Sequence, residues 1–294
     1  MDINFELYKV FYYTAKNLSF SEAANHLYIS QSAVSQSIKA LEEKLHTKLF
    51  VRNTKQVQLT QAGALLYRHV EQAYVFLKTG ERSICELDSL EQGELRIGAS
   101  DTICKYYLLP YFEQFIRLYP KIQMKVINRP SPVCTELLQK GLVDVSVVNL
   151  ARKDAYSNVT VSKEKSLQDL FVAGPTFRHL QQQPLSLPQI AALPILTLEK
   201  NTITRDYLDH LFLGSGLTVQ PEIELGSLDL VIELAKIGLG IAFVSKEYVE
   251  KELENHSLFA LETVEPIPSR RLGIMTHNAL PVSAAAKKFI ELLQ

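Results

Sequence analysis

The chain has few cysteines and no long apolar run. It carries three cysteines in 294 residues, an odd number at wide spacing, which predicts reduced thiols in a cytoplasmic protein. No apolar segment approaches the roughly twenty residues that a membrane-spanning helix needs. The N-terminal sequence MDINFELYKV lacks both the basic start and the apolar core of a secretory signal. We therefore expect a cytoplasmic protein without a membrane partner.

An excess of either charge is also missing. The formal net charge is −1 and the pI is about 6.7. This balance excludes a protein that is basic throughout, but it allows a small basic module for nucleic acid within a neutral chain. Since 47% of the residues are hydrophobic, the chain has enough apolar side chains for about two domains with their own cores.

Sequence motifs of catalysis are not found. The sequence contains no nucleophile elbow, no phosphate-cradling glycine loop, no HExxH pair and no CxxC pair. The seven histidines are scattered along the chain without the spacing of metal ligands. We therefore expect neither an enzyme nor a bound metal or cofactor.

What the chain does contain is a strong helical pattern between Ser19 and Thr60. Ser21 is a suitable N-cap for a first short helix, because its hydroxyl can accept from the N–H groups of the opening turn. A second helix opens at Ser30 or Gln31, after a short polar turn. Apolar residues recur in both helices at steps of three and four: Ala23, Ala24 and Leu27 in the first, and Val34, Ile38, Leu41 and Leu45 in the second.

The opposite face of the second helix is short and polar. Small hydrogen-bonding residues near its N-terminus, with a lysine one turn further on, suit the major groove of DNA. An ordinary helical hairpin with a serine-rich, solvated face remains the alternative. The predicted DNA contacts of the two helices are Ser21, Gln31, Ser32, Ser35, Gln36 and Lys39.

A loosely alternating segment follows, from Phe50 to Leu59, with a bend at Asn53 and Thr54. This pattern is typical of a two-stranded hairpin. Arg52 and Lys55 on this hairpin are predicted to contact phosphate or the minor groove. The alternative is a solvated turn.

The region from Ser19 to Gly63 resembles the N-terminal winged helix-turn-helix of LysR-type transcriptional regulators. The resemblance lies in the Ala23–Ala24 pair, in SQSAVSQSIKALE, in KLF followed by Arg52, and in LTQAG. It implies double-stranded promoter DNA and RNA polymerase as partners. Two positions depart from the family, which usually has proline at Ser32 and often arginine at Gln36, so the base-reading side chains are expected to differ.

A long helical pattern without proline runs from Thr60 to about Leu87. Thr60 can cap it, and an apolar seam continues along its length. Apolar residues such as Leu65 and Phe76 widen the seam, so the helix needs a partner beyond its own domain. The resemblance implies that this linker helix dimerises two chains in antiparallel fashion, and that the full assembly is a homotetramer. Gly80 interrupts the seam.

From Leu95 onward the pattern alternates between strands and helices, which predicts mainly parallel sheets covered by helices. The segments LRIGASDTICKYYLLP, GLVDVSVVN and AKIGLGIAFVS resemble the family's effector domain, a two-lobed α/β fold like that of periplasmic binding proteins. The fold class is therefore α/β with a winged helix-turn-helix N-terminal domain. The predicted boundaries are 1–59 for the DNA-binding domain, 60–88 for the linker helix, 89–94 for a hinge and 95–294 for the effector domain, with lobe I at about 95–165 and 270–294 and lobe II at about 166–269.

Polar loops follow several of the predicted strands. Ligands of α/β sheets bind at the carboxyl ends of strands, where helix N-termini attract anions. We therefore expect a small-molecule effector, of anionic character, in the cleft between the lobes; the alternative is that these residues only cap helices. The candidate effector contacts are Ser100, Thr102, Asn128, Arg129, Ser131, Asn149, Thr202 and Ser227.

Two other functions remain open from the sequence. Cys104 and Cys134 lie near predicted helix starts, where a thiolate is favoured, so the chain could be a thiol-redox-responsive regulator. It could also be a cytosolic ligand-binding protein without a role on DNA.

Overall fold

The computed structural model describes residues 3–53, 56–85, 93–150 and 157–293. The chain divides into two compact units, Met1–Arg82 and Ser83–Gln294. Among the described residues, none of the helices combines the length and apolar character required to cross a bilayer.

The first unit is a three-helix core with a hairpin and the start of a long helix. Phe11, Ile38 and Leu41 are fully buried in this core, as the helical spacing of the apolar residues predicts. Its elements are α1 (Phe5–Asn17), α2 (Phe20–Leu27), α3 (Gln31–Leu45), β1 (Phe50–Asn53), β2 (Gln56–Leu59) and α4 (Gln61–Cys85).

The N-cap of α2 differs from the prediction. Ser19, not Ser21, precedes the helix, and its hydroxyl accepts a hydrogen bond from the Glu22 N–H at 3.2 Å. Phe20 packs into the core, and this burial places the N-cap two residues earlier than the polar pattern indicates. Ser21 is therefore an exposed residue of the first turn of α2.

The cap predicted for the long helix is confirmed. The Thr60 hydroxyl accepts from the Gly63 N–H at 2.9 Å and donates to the Lys48 carbonyl at 2.7 Å. At Gly63 the helix passes close to β1, because an added Cβ would lie 2.1 Å from the Leu49 carbonyl oxygen. Gly80 lies inside continuous α4, and apart from its chain neighbours and the nearby backbone of α4 itself, no described atom lies within 4 Å of the position of an added Cβ. Leu87, the predicted end of the helix, lies outside the described residues.

The second unit contains two five-stranded sheets. Lobe I has the strand order β4-β3-β5-β12-β6, and lobe II has the order β11-β7-β10-β8-β9. The strands are β3 (Gly93–Ala99), β4 (Ile122–Asn128), β5 (Val145–Asn149), β6 (Val159–Leu167), β7 (Asp169–Ala173), β8 (Ile195–Leu198), β9 (Ile223–Leu225), β10 (Ile241–Ser245), β11 (Phe259–Leu261) and β12 (Arg270–His277). The α-helices are α5 (Asp101–Ile103), α6 (Leu109–Leu118), α7 (Ser131–Gln139), α8 (Leu187–Ala191), α9 (Ile203–Leu213), α10 (Leu228–Lys236), α11 (Glu250–Glu254) and α12 (Ala284–Leu292).

The expectation of mainly parallel sheets is wrong in part, because both sheets are mixed. In lobe I, β3 pairs parallel with β4 and β5, whereas β12 pairs antiparallel with β5 and β6. Lobe II has the same numbers of parallel and antiparallel pairs: β8 pairs parallel with β9 and β10, and β7 pairs antiparallel with β10 and β11. The chain crosses from lobe I to lobe II and returns, and the strands next to the crossings run against their neighbours.

Proline explains two local departures. The predicted helix from Ile103 to Tyr119 contains a π-helical segment, Cys104–Leu108, which ends just before Pro110, a residue with no N–H to continue the α-helical ladder. The strand predicted from Val219 begins only at Ile223, after Pro221, because proline cannot donate to a sheet.

The elements that the sequence did not predict are short. They are two 3₁₀ helices, Pro175–Gln182 and Lys246–Tyr248, together with α11 and β11. β3 begins at Gly93, so the last two residues of the predicted hinge lie in a strand, and its first residues lie outside the described part of the chain.

Candidate functional site

α3 presents a polar face on the first unit. Ser30 caps the helix by accepting from the Ala33 N–H at 3.2 Å, while Val34, Ile38 and Leu41 are fully buried. The opposite face is left to solvent. Of the predicted contacts on it, Gln31, Ser32, Gln36 and Lys39 are exposed and Ser35 is half-buried.

A shallow depression lies on this face. Lys39 is 71% exposed, and its only ion pair among the described residues is a long one with Glu43, at 3.8 Å. An exposed cation beside small polar groups is suited to contacts with phosphate and base edges. The depression is lined by Ser35, Gln36, Lys39, Glu42 and Lys48.

Glu42, which the sequence did not single out, joins α3 to the hairpin. Its carboxylate is buried and accepts from the Leu49 N–H at 2.8 Å, the Phe50 N–H at 3.3 Å and the Lys48 ammonium at 2.8 Å. Burial alone would raise the pKa of Glu42, but Lys48 and the two N–H groups outweigh it and hold this pKa below its ordinary value. In the sequence, the signal for this link is an acidic residue at a position of α3 where the helical spacing calls for an apolar one.

The hairpin is placed as predicted in its backbone. β1 and β2 are antiparallel, with Arg52 opposite Val57. The structure describes only the backbone of Arg52, and Lys55 lies outside the described residues together with Thr54.

The second unit contains a cavity of about 250 Å³ between its two sheets. It lies where β3, β4, β5, β8 and β10 end, as expected for ligand sites in α/β folds. Lobe I contributes Ser100, Asp101, Thr102, Asn128, Arg129, Pro130, Ser131, Asn149 and Arg270, and lobe II contributes Leu198, Glu199, Thr202, Ile203, Thr204, Gly226, Leu228, Val244, Ser245 and Tyr248.

Seven of the eight predicted effector contacts line this cavity. The exception is Ser227, whose neighbours Gly226 and Leu228 line it instead. Several of these residues also cap helices: Ser100 accepts from Ile103, Thr202 from Arg205 and Ser227 from Leu230. Capping and cavity lining therefore coexist at Ser100 and Thr202. The Ser131 hydroxyl has a different partner, since it accepts from the N–H of Asn149 at 3.1 Å.

A buried ion pair that the sequence analysis missed closes one side of the cavity. Arg270, at the start of β12, binds Asp169, at the start of β7, through two hydrogen bonds. Their side chains are 4% and 0% exposed. Arg270 also donates to Ser245 at 3.1 Å and to Thr204 at 3.0 Å. Since the two residues flank the crossings between the lobes, the pair joins lobe I to lobe II at the crossover.

Two polar atoms of the lining lack partners. The Tyr248 hydroxyl and Asn149 Oδ1 are buried and make no hydrogen bond within the described part of the protein. Burial raises the pKa of Tyr248, so its hydroxyl stays protonated. Buried polar groups are nearly always paired, so two residues of the cavity lining leave hydrogen-bonding capacity unused.

A second contact between the lobes lies beside the cavity. Asp229, in the first turn of α10, accepts from the Lys105 ammonium at 2.7 Å and from the Tyr106 hydroxyl at 2.5 Å. The Tyr106 ring also stacks on Tyr248, with centroids 5.0 Å apart. The π-helical segment of lobe I, which carries Lys105 and Tyr106, thus contacts the cavity wall of lobe II.

Burial disfavours the thiolate form of Cys104 and Cys134, the two cysteines whose side chains the structure describes. Burial raises the pKa of Cys104 to about 11, with a further contribution from Asp101. Burial likewise raises the pKa of Cys134 to about 11. Since the thiolate is the reactive form, this geometry disfavours the alternative of a thiol switch. Within the described ranges no group of three or more histidine, cysteine or acidic side chains could hold a metal ion.

The two units match two known domain families. Residues 88–294 match the LysR substrate binding domain. Residues 5–64 match the bacterial regulatory helix-turn-helix proteins of the lysR family. The chain belongs to the LysR family. It is a DNA-binding transcriptional regulator with a domain for a small-molecule effector.

Other LysR-type proteins match over nearly the full length. The RuBisCO operon transcriptional regulator of Allochromatium vinosum is 26% identical over 294 residues, which cover 99% of this chain and 96% of that protein. The regulator CysL of Bacillus subtilis strain 168 is 26% identical with the same coverage.

Solved structures of LysR regulators share the fold. Full-length LysG from Corynebacterium glutamicum, with its effector arginine bound, has a TM-score of 0.66 at 19% identity, covering 99% of this chain and 96% of that one. A full-length OxyR variant from Pseudomonas aeruginosa has a TM-score of 0.67 at 19% identity, covering 100% and 94%. These likenesses confirm the predicted fold class.

Proposed function

We propose that this LysR regulator changes its affinity for promoter DNA when a small molecule with an anionic group binds the cavity between lobes I and II. The observation that carries this proposal is the convergence of residues from both lobes on one cavity whose lining retains two unpaired polar atoms. A ligand that prefers one arrangement of the lobes shifts the protein toward that arrangement. The protein acts through binding, not through catalysis.

The DNA side of the proposal assigns direct readout to α3. Gln36 is expected to contact base edges and Lys39 to contact phosphate, with Ser21, Gln31, Ser32 and Ser35 around them. Arg52 and Lys55 are proposed as the hairpin contacts. These roles follow from the exposed polar face of α3 and from its resemblance to other recognition helices.

We further propose a dimer through α4. Its second half carries large exposed apolar side chains, Leu77 at 49% and Ile84 at 68%, and exposed apolar residues along one helix favour association with a partner. A dimer presents two reading heads to two half-sites, and a tetramer and contact with RNA polymerase belong to the same proposal. The domain boundaries proposed above, with 60–88 as linker helix, follow from this role.

The DNA arm of the test uses a duplex that the purified full-length protein selects from random sequence. Gln36→Ala should weaken binding by about 1–3 kcal/mol, the usual value of a good base contact. Lys39→Ala should weaken binding to every sequence and reduce the salt dependence by about one counterion. Glu22→Gln, an exposed change on α2, serves as the control. Wild-type affinity in both variants would contradict the assignment of α3.

The effector arm begins with a thermal-shift screen of small organic acids, phosphates and amino acids. The compound with the largest shift is then titrated into the protein–DNA complex. Ser100→Ala and Thr202→Ala should abolish the change in DNA affinity that this compound causes, while basal DNA binding is retained. Ser257→Ala, outside the cavity lining, is the control. If both cavity variants respond like the wild type, the effector site lies elsewhere.

A further inference from the structure

The cavity is lined by charged side chains of both signs, so it is not suited to anions only. Arg270 is already neutralised by Asp169 through two hydrogen bonds. The charged side chains that remain are Asp101 and Arg129 from lobe I and Glu199 from lobe II. A ligand therefore meets two carboxylates and one guanidinium, all three exposed, so a purely anionic ligand gains no net attraction from the charged side chains of the lining.

Glu199 is placed to receive a cation. It follows β8, and its carboxylate lies against the end of β9, since a Cβ added to Gly226 would be 3.4 Å from Oε1. No hydrogen bond or ion pair of the Glu199 carboxylate occurs in the described structure. On the opposite lobe, Asp101 accepts one hydrogen bond, from Asn128 Nδ2 at 3.2 Å. An ammonium group, with three N–H donors, matches such acceptors.

Hydrogen-bond donors for a carboxylate lie next to Glu199. Thr202, Ile203 and Thr204 open α9, a helix of 11 residues, and all three line the cavity. The first N–H groups of a helix have no intrahelical acceptor and attract anions. The Thr202 hydroxyl satisfies the Arg205 N–H, which leaves the N–H groups of Ile203 and Thr204 for a ligand.

The buried unpaired atoms point independently to a ligand. Four buried side-chain atoms lack a hydrogen bond among the described residues, and two of them, Asn149 Oδ1 and the Tyr248 hydroxyl, belong to residues of this cavity. Tyr248 is 7% exposed. Asn149 Oδ1 requires a donor, whereas the Tyr248 hydroxyl can donate. A ligand that carries both an N–H donor and a carboxylate acceptor has the two groups that are complementary to these atoms.

The size of the cavity fits such a molecule. Its volume of about 250 Å³ lies below the roughly 300–1,000 Å³ of typical drug-sized sites. A cavity of this size suits a molecule smaller than a typical drug, such as a free amino acid.

We infer that the effector is a zwitterion of the amino-acid type. Its ammonium group binds between Glu199 and Asp101, and its carboxylate binds at the start of α9 with Thr202. This inference rests on the proposed function, because it names the chemistry of the ligand in the same cavity.

The test measures binding of matched compounds to the full-length protein by calorimetry. Three sets are compared: the L-amino acids, the corresponding carboxylic acids without the amino group, and the corresponding amines without the carboxylate. At least one amino acid should bind, and both of its truncated analogues should bind at least tenfold more weakly.

Two variants locate the groups. Glu199→Gln should weaken the best amino acid at least tenfold but change its deaminated analogue less than twofold, a difference that a general structural defect would not produce. Tyr248→Phe should weaken the same amino acid severalfold. Glu222→Gln, an exposed acid of lobe II outside the cavity lining, is the matched control.

The outcomes separate this inference from the proposed function. If no amino acid binds, or if inorganic phosphate or a deaminated acid binds more tightly than every amino acid, the assignment of a zwitterionic ligand is wrong. The proposed function survives that result whenever the tighter anion alters DNA affinity through Ser100 and Thr202. If an amino acid binds with the expected discrimination but leaves DNA affinity unchanged, the ligand class stands and the proposed regulation fails.

Discussion

The polar face of α3 and the effector cavity differ in how far apart their residues lie along the chain. The residues of α3 that we propose to contact DNA are neighbours in sequence, and one amphipathic helix places all of them on one surface. The cavity collects residues from Ser100 to Arg270, at the ends of strands in two sheets. A local site can be recognised from periodicity, whereas a site assembled from distant segments depends on how the chain crosses between lobes.

The largest effect should come from breaking the buried pair at that crossover. Arg270→Met leaves Asp169 as an unpaired buried charge and should destabilise the second unit by about 3–5 kcal/mol. Hydrogen exchange measured peptide by peptide should show faster exchange in β7, β10 and β12, and unchanged exchange in α1 to α3. This contrast would show that the stability of the second unit depends on the buried pair at the crossover, whereas the stability of the first unit does not.

A neighbouring arginine provides the control. Arg271 pairs with Glu164 at the surface, with side chains 45% and 41% exposed, so Arg271→Met should cost less than about 1 kcal/mol. Equal destabilisation by the two changes, or faster exchange in α1 to α3 with Arg270→Met, would contradict the special role of Arg270.

A smaller effect should follow from replacing Glu42, whose carboxylate joins α3 to the hairpin of the first unit. Glu42→Gln loses charge-assisted hydrogen bonds to Leu49, Phe50 and Lys48 and should destabilise the first unit by about 1–3 kcal/mol. Exchange should accelerate in α3 and β1 while the strands of both lobes remain protected. Glu43→Gln, on the exposed side of the same helix, should have little effect.

The same carboxylate predicts a dependence on pH. Because the pKa of Glu42 is lower in the folded protein than its ordinary value of 4.5, its contribution is fully present above about pH 4.5 and is lost as the pH falls below that value. Below that pH, the first unit of the wild-type protein should lose stability more steeply than the first unit of the Glu42→Gln variant. Parallel pH profiles of the two proteins would contradict this role.

The smallest effect should come from the exposed contact between the lobes. Asp229→Asn weakens the bonds to Lys105 and Tyr106, and it should cost at most about 1 kcal/mol of stability, since both partners of the ion pair are partly exposed. It should nevertheless change ligand affinity a fewfold, because it alters the balance between lobe arrangements. Glu233→Gln, whose carboxylate pairs with Lys236 within α10, is the control and should not change ligand affinity. An unchanged ligand affinity in Asp229→Asn would show that this contact has no part in the response.

The sequence predicted the fold better than the detailed composition of the cavity. Strand ends followed by small polar residues, such as Ser100 and Thr202, are visible in the sequence because those residues also cap helices. Arg270 and Asp169 are charged residues of apolar segments and become meaningful only when the two crossings bring them together. Tyr248 lies in a short 3₁₀ helix with no periodicity that could indicate its burial.

Local chemistry also limited the prediction of boundaries. The start of α2 was assigned to Ser21 because serine is a good cap, but burial of Phe20 makes Ser19 the cap. The mixed pairing of the sheets could not be predicted from alternating strands and helices, because the direction of β12 depends on the return from lobe II.

The most direct test of the regulatory mechanism is a closed thermodynamic cycle. DNA affinity is measured with and without the best-binding compound, and the affinity for that compound is measured with and without DNA. Ligand-dependent regulation through one shifted equilibrium requires that the two ratios be equal and differ from one, typically by about 5–150-fold. Ratios of one in wild-type protein, with the compound bound in the cavity, would contradict the coupling between the cavity and promoter binding.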